Sequence, residues 1–215
     1  MVNIAVIISL SALGLIALTY VVYPVWQLIF PGKPVDFTGE FTPPSVSVVF
    51  AAYNESAIIE AKIRSIYRTN YPIGLLSVWI GSDLSSDGTD DIIRNLQSEF
   101  PQLNLHVNDR RSGKSATINL LVEQTTAEVI IATDANILFK ETTIEELVRP
   151  IALQKATAVA GTLVYEAGGV TNSTASTEKA YLSLENAIRR AESRKHGICF
   201  GMEGGLYSMK KSFWK

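Results

Sequence analysis

Asp134-Ala135-Asn136 offers a carboxylate and an amide oxygen within three residues, directly after the apolar run Val129-Ile-Ile-Ala-Thr133. A carboxylate at the end of a buried strand costs free energy unless a cation or hydrogen-bond donors meet it. Oxygen ligands without a cysteine or histidine partner suit a hard cation such as Mg2+ or Mn2+, which fills its other positions with water or phosphate oxygens. Bases suited to phosphate stand at Arg110, Arg111 and Lys114, and further polar groups at Tyr53, Asn54, Glu55 and Asp83. The set describes a hard-cation site that holds phosphate oxygens. Two common phosphate motifs are excluded. Gly113-Lys114-Ser115 lacks the glycine a P-loop needs five residues earlier, where Asn108 stands, and Ala51-Ala52-Tyr53-Asn54-Glu55 lacks every glycine of the dinucleotide fingerprint.

These residues need elements to bring them together, and the hydrophobic pattern supplies them. Ser45 to Tyr53 reads as a β-branched strand, followed by a turn at Asn54-Glu55-Ser56 and a helical pattern through Ile58, Ile59, Ile63, Ile66 and Tyr67. The unit recurs. Leu75 to Ile80 leads through Gly81 to Thr89 into a helix carrying Ile92, Ile93, Leu96 and Phe100. Leu103 to Val107 leads through Asn108 to Lys114 into one with Ile118, Leu121 and Val122, and Val129 to Thr133 precedes a helix near Thr143 to Leu153. Repeated βα units with continuous apolar strands predict an α/β fold, a mostly parallel sheet with helices on both faces. In such a sheet the ligand crevice lies beyond the carboxyl ends of the strands, where every residue named above falls. Glu55 and Asp87 also suit plain helix starts, and Ser85-Ser86-Asp87-Gly88 a capped turn.

Composition narrows the class. The 215 residues are 47% hydrophobic and 19% charged with a net charge of −2, which excludes a disordered chain and a nucleic-acid binder acting through bulk charge. One cysteine, Cys199, and two histidines exclude a disulfide framework and a zinc site of Cys/His type; Cys199 reads as a packing residue. Residues 1–30 carry no charge, and Ile4 to Val22 is almost wholly apolar, long enough with its uncharged extension for the roughly 20 residues that cross a bilayer. Met1-Val2-Asn3 is neutral and no small-residue cleavage site follows, so an anchor is expected rather than a cleaved signal. Tyr20, Tyr23 and Trp26 suit an interfacial belt, and Lys33, the first basic residue, favours a cytoplasmic domain. Residues 31–44, with four prolines and two glycines, read as a linker, and 45–215 as the domain.

Ala51-Ala-Tyr-Asn-Glu55, Ser82-Asp-Leu-Ser-Ser-Asp-Gly-Thr89, Arg111-Ser-Gly-Lys-Ser-Ala-Thr-Ile-Asn119 and Ala132-Thr-Asp-Ala-Asn136 resemble, in this order, the successive blocks of the family 2 glycosyltransferases of GT-A fold. The resemblance implies transfer of a sugar from a nucleotide diphosphate donor, usually a UDP-sugar, to a glycan or lipid acceptor with inversion and with Mg2+ or Mn2+ on the diphosphate. It implies nucleotide-sugar contacts at Ala52, Tyr53, Glu55, Asp83 and Lys114, with Asp134 shared between donor and metal and Asn136 as the second metal ligand.

The sequence departs from that pattern in three places. Leu84 stands where the family has glycine, which predicts a looser turn after Asp83. Asn136 replaces an aspartate, so the cation site carries one negative charge fewer. The resemblance also places an acidic general base beyond Gly201 to Lys215, so the 215 residues are expected to hold the donor-binding portion without it. Glu203, flanked by glycine, is the one acid near that position; Asp109 and Glu166 are no better placed. A different class of function, a nucleotide-sugar-binding subunit whose partner chain supplies the base, stays open. From Thr177 to Lys195, Tyr181, Leu184, Ile188 and Ala191 recur at helical spacing, with Lys179, Arg189, Arg190, Arg194 and Lys195 largely opposite. That face is either solvated or set against anionic headgroups.

Overall fold

The structure, a computed structural model, describes residues 4–164, 173–197 and 205–214. Its elements in chain order are α1 (Ile4–Ala17), a π-helical turn (Leu18–Val22), α2 (Tyr23–Ile29), β1 (Val46–Ala52), α3 (Ile59–Tyr67), β2 (Leu76–Ser82), α4 (Thr89–Gln97), β3 (Leu103–Val107), α5 (Lys114–Gln124), β4 (Val129–Thr133), α6 (Thr143–Ala152), β5 (Ala158–Ala160), α7 (Ser173–His196) and β6 (Leu206–Lys210). They form two units, one of Phe37–Leu163 with Met202–Lys215, the other of Met1–Asp36 with Val164–Gly201.

The larger unit is built on one six-stranded sheet of order β3-β2-β1-β4-β6-β5. β1 pairs in parallel with β2 and β4, and β2 with β3, whereas β6 runs antiparallel to both β4 and β5. β1 and β4 are buried along almost their whole length, as central strands covered on two faces must be. Alternation then sorts the side chains. Val48, Phe50 and Ile131 join Ile63, Ile93, Ile144 and Val148 of α3, α4 and α6 on one face, while Val49, Ile130 and Ala132 meet Ile118, Leu121 and Val122 of α5 on the other. The expected α/β architecture with helices on both faces is present. The sequence reading did not anticipate β6, inserted between β4 and β5.

Gly81 in β2 lets α5 approach, because a Cβ there would stand 2.1 Å from Thr117 Cγ2. α5 starts at Lys114, so this close packing also sets where that lysine leaves the sheet.

In the smaller unit, Ile4–Ile29 form a continuous helix long and apolar enough to cross a membrane, with a mean hydropathy of 2.4 in its most apolar window. Its π turn ends where the Tyr23 N–H donates to Leu18. Pro24 follows at once, and its ring has no N–H to continue the ladder. α7 packs on α2 through buried Ala191 and Glu192, with the Tyr23 hydroxyl donating to Glu192 Oε1 at 2.5 Å. Leu184, expected on the packing face, is 48% exposed. The side chains of Tyr181 and Lys179 lie outside the described residues.

Candidate active site

Asp83 follows β2 and is 4% exposed. Its backbone N–H extends the sheet to the Ala52 carbonyl at 2.9 Å, and its carboxylate collects four donors from the loop between β3 and α5. Oδ1 accepts from the Ser112 N–H at 2.7 Å and Asn108 Nδ2 at 2.9 Å; Oδ2 accepts from the Gly113 N–H at 3.1 Å and Arg111 Nε at 3.2 Å. These donors, the Ser112 N–H first and Asn108 next, hold its carboxyl at about 2 against burial. Asn108 also donates to Thr117 Oγ1 at 2.7 Å, which ties the loop to α5 over Gly81. A carboxylate has about four acceptor sites, and all are engaged. For Asp83 to accept a nucleobase N–H, one donor has to leave, and Arg111, with its side chain 56% exposed, is the one free to move.

Arg111 meanwhile lies over the Tyr53 ring, its guanidinium carbon 3.5 Å from the centroid. Tyr53 itself is exposed at the end of β1. Asn54 adopts a left-handed conformation, with φ of 55°, and its Oδ1 accepts from the Ser86 N–H at 2.9 Å. Glu55 donates its backbone N–H to Thr89 Oγ1 at 2.9 Å, and its carbonyl accepts from Ile58 and Ile59 at the start of α3. Asp87 stands one residue before Gly88, the N-cap of α4, and ties the start of that helix to the loop after β1: Oδ1 accepts the Thr89 hydroxyl at 2.5 Å and Oδ2 the Ser56 N–H at 2.9 Å. Those bonds, led by Thr89, lower its pKa. Leu84, where the resemblance has glycine, takes a left-handed conformation with φ of 63°, at the cost of local strain.

On the other side of β1, Asp134 follows β4, its N–H donating to the Gly205 carbonyl at 3.0 Å. Lys114 Nζ donates to Asp134 Oδ1 as an ion pair. Both side chains keep water access, 46% for the lysine and 37% for the aspartate, and Asn136 is exposed. A Cβ at Gly205 would crowd Leu163 Cδ1 at 3.0 Å and Ile137 Cδ1 at 3.2 Å and would meet Asp134 Oδ2 only in ordinary contact at 3.8 Å. Strand order makes the position significant. β1 leads to β2 and β3 on one side and β4 lies on the other, so Tyr53, Glu55 and Asp134 flank the switch point where open α/β sheets bind ligands.

The structure thus brings Tyr53, Asp83, Lys114, Asp134 and Asn136 to one end of the sheet. Ala52 is there but 1% exposed, with its carbonyl taken by Asp83. Glu203, Glu166 and Cys199 lie outside the described residues. Among the described residues no group of three or more acids, histidines or cysteines gathers to cage a metal. Asp134 and Asn136 nevertheless present two hard, accessible oxygens on one turn, which fits a cation that keeps water and phosphate as its remaining ligands.

Lys62, which sequence reasoning passed over, lies beneath this turn and is fully buried. Nζ donates to Thr133 Oγ1 at 3.2 Å and to the Ile137 carbonyl, and sits 4.0 Å from the Phe139 ring centroid. Burial pushes its pKa well below the usual lysine value, and the Asp134 charge opposes that. Its signal was its place among Ile59, Ile63 and Ile66 on the apolar face of α3.

Sheet order and switch point agree with the GT-A fold that the resemblance implies. A mannosyltransferase from Pyrobaculum calidifontis, solved in complex with GDP-Man and Mn2+, superposes with a TM-score of 0.73 at 27% identity over 96% of this chain and 55% of its own. Staphylococcus aureus TarS in complex with UDP-GlcNAc shares the fold at TM-score 0.53 and 19% identity, over 60% of this chain and 37% of its own. In sequence, the beta-monoglucosyldiacylglycerol synthase of Trichormus variabilis is 36% identical over 95 residues, 43% of this chain and 20% of that enzyme. The glycosyl transferase family 2 model matches residues 47–215. The chain belongs to that family and shares its fold, while spanning about a fifth of the curated relative and about half of the mannosyltransferase.

Proposed function

We propose that this chain binds the nucleotide diphosphate sugar of a membrane-anchored glycosyltransferase, with a UDP-sugar as donor and a lipid or glycan hydroxyl as acceptor. The observation that carries the reading is the Lys114–Asp134 pair at the switch point. It sets an accessible ammonium and an accessible carboxylate side by side, the two charges that a diphosphate and its cation require. In this reading Asp134 and Asn136 hold Mg2+ or Mn2+, and Lys114 passes from Asp134 to the diphosphate. When bound, the cation supplies positive charge to the leaving diphosphate. Tyr53 offers its ring face to the nucleobase, and Asp83 holds the loop that carries Arg111 and Lys114, accepting from the base once Arg111 has moved. Glu55 borders the ribose while starting α3. The sugar passes with inversion from the diphosphate oxygen to the acceptor oxygen, whose proton goes to an acidic base that the family supplies.

The glycolipid-synthase relatives support a lipid acceptor, the apolar helix Ile4–Ile29 supports a membrane anchor, and Lys33 on its carboxyl side favours a cytoplasmic sheet domain. Donor binding is tested by thermal unfolding of the full chain in detergent with UDP or GDP, each with and without Mn2+. UDP with Mn2+ is expected to stabilise by about 2.7 kcal/mol at about 100 times its Kd. Asp134→Ala is expected to remove the metal-dependent part. Stabilisation by neither nucleotide, or an equal metal-dependent gain in the variant, overturns the site; a larger gain with GDP reassigns the donor.

A further inference from the structure

The smaller unit holds a cavity of about 210 Å³ between the end of α2 and helix α7, lined by Leu28, Pro31, Ala187, Arg190, Ala191 and Arg194. Its floor is made by small residues one helical turn apart, Ala187 and Ala191. Arg190 and Arg194, likewise four apart, share a face of α7 and bring two positive charges to the same space. Among the described residues neither arginine makes an ion pair, although the adjacent Arg189 takes Glu185 at 2.7 Å. Arg190 spends Nε on the Asn186 carbonyl at 3.2 Å, which leaves four of its five donors. The neighbouring acid Glu192 is 5% exposed and receives the Tyr23 hydroxyl.

The surroundings say what anion belongs there. The cavity sits at the carboxyl end of the apolar helix, beside Trp26 and Phe30, whose exposed rings are 4.6 Å apart at their centroids. Aromatic rings at that end of a spanning helix lie at headgroup level. Lys195 Nζ is 5.2 Å from the Trp26 centroid, which adds a third cation at this depth. Gly32, at φ of 73°, lets the chain after α2 close on α7, since a Cβ there would stand 2.8 Å from Lys195 Cα. The pocket is therefore held by backbone contact as well as by side chains. Arginine forks match phosphate oxygens in pairs of hydrogen bonds, and the apolar wall of Leu28 and Pro31 suits the glycerol and first methylenes of a lipid.

We propose that Arg190 and Arg194 bind the phosphate of an anionic membrane phospholipid in this cavity, fixing α7 at the bilayer surface. The proposal rests on the reading of Ile4–Ile29 as a membrane anchor. It commits to a lipid rather than a free anion because the cationic pair lies over an apolar pocket at the end of that helix.

The test uses the full chain in detergent, titrated with phosphatidylglycerol, phosphatidylcholine or inorganic phosphate, and reads bound lipid by native mass spectrometry. Wild type is expected to prefer phosphatidylglycerol, and Arg190→Gln/Arg194→Gln to bind it about thirtyfold more weakly, taking about 1 kcal/mol per basic residue near an anionic surface. Ala187→Leu keeps both charges but fills the cavity floor, and is expected to lose the same preference. Equal phosphatidylglycerol binding by wild type and the arginine variant overturns the proposal, as does inorganic phosphate binding as tightly as the lipid. Flotation of both proteins with alkali-washed vesicles checks the anchor separately. If both float while lipid preference is unchanged by the mutations, only the arginine site falls; if wild type does not float, the anchor reading falls and the proposal with it.

Discussion

Replacing Asp83 by asparagine keeps the side-chain shape and removes half of its acceptors, which makes it a sharp probe of the loop that carries Arg111 and Lys114. In wild type the four donors divide evenly between the two oxygens. An amide has one oxygen, so its NH2 has to face two donors. The less costly orientation points it at Gly113 and Arg111, because exposed Arg111 can turn to water while the Gly113 N–H is left facing another donor. Losing the Gly113 hydrogen bond to a carboxylate costs about 1.5–3 kcal/mol, and the two bonds kept on the oxygen fall from charge-assisted to neutral strength, each losing roughly 1 kcal/mol. The expected loss is about 3–5 kcal/mol in urea unfolding. The carboxyl pKa is depressed to about 2 in the folded protein from an ordinary 3.8, so below the ordinary value the unfolded chain binds the extra proton. Wild-type stability from this group is fully present above about pH 4, drains as pH falls toward 2, and is missing from the variant throughout, so the two curves should converge in acid. A loss under 1 kcal/mol at neutral pH, or curves that stay parallel between pH 4 and 2, would refute the account of Asp83 as the residue that organises the loop.

Leu84→Gly is expected to stabilise the larger unit by up to about 1 kcal/mol, since relief of left-handed strain exceeds the added entropy of the unfolded chain; a net loss in thermal unfolding would show that Leu84 is not strained. Gly81→Ala is expected to destabilise by about 1–3 kcal/mol through overlap with Thr117, and to weaken nucleotide binding as α5 and Lys114 shift; unchanged stability would mean α5 does not need that approach. Lys62→Met probes the buried ammonium. Because the folded pKa is depressed below 10.5, the unfolded state binds more protons in that window and wild-type stability rises with pH up to 10.5. Lys62→Met lacks that rise, so wild type should gain on it as pH increases, and parallel curves would show that Lys62 is not desolvated.

The βα units were legible in the amino-acid order because each central strand is a continuous apolar run bounded by polar turns, and burial on two faces demands that pattern. The expected strand at Leu103 to Val107 and that at Val129 to Thr133 coincide with β3 and β4, and the polar residues after the strands do gather at one end of the sheet. Asp134 stood out for an equally local reason, a charge directly after a buried strand. What only the folded chain decided depends on partners distant in sequence. β6 pairs with β4 across some seventy residues, and nothing local to Leu206–Lys210 tells that it enters the sheet antiparallel and delivers Gly205 to Asp134. Asp83 was legible as an acid at a strand end, but not that its acceptors would be taken by residues 108–113. Leu84 stood out as a departure from the glycine of the resemblance, but its positive φ belongs to the folded loop. Lys62 shares its helix face with three isoleucines, and burying its ammonium becomes tolerable only because Thr133, Ile137, Phe139 and the charge of Asp134 converge on it from another strand and its following turn. Local pattern sets which segments become strands and helices; the solvation of each charge is set by whatever the completed fold brings beside it.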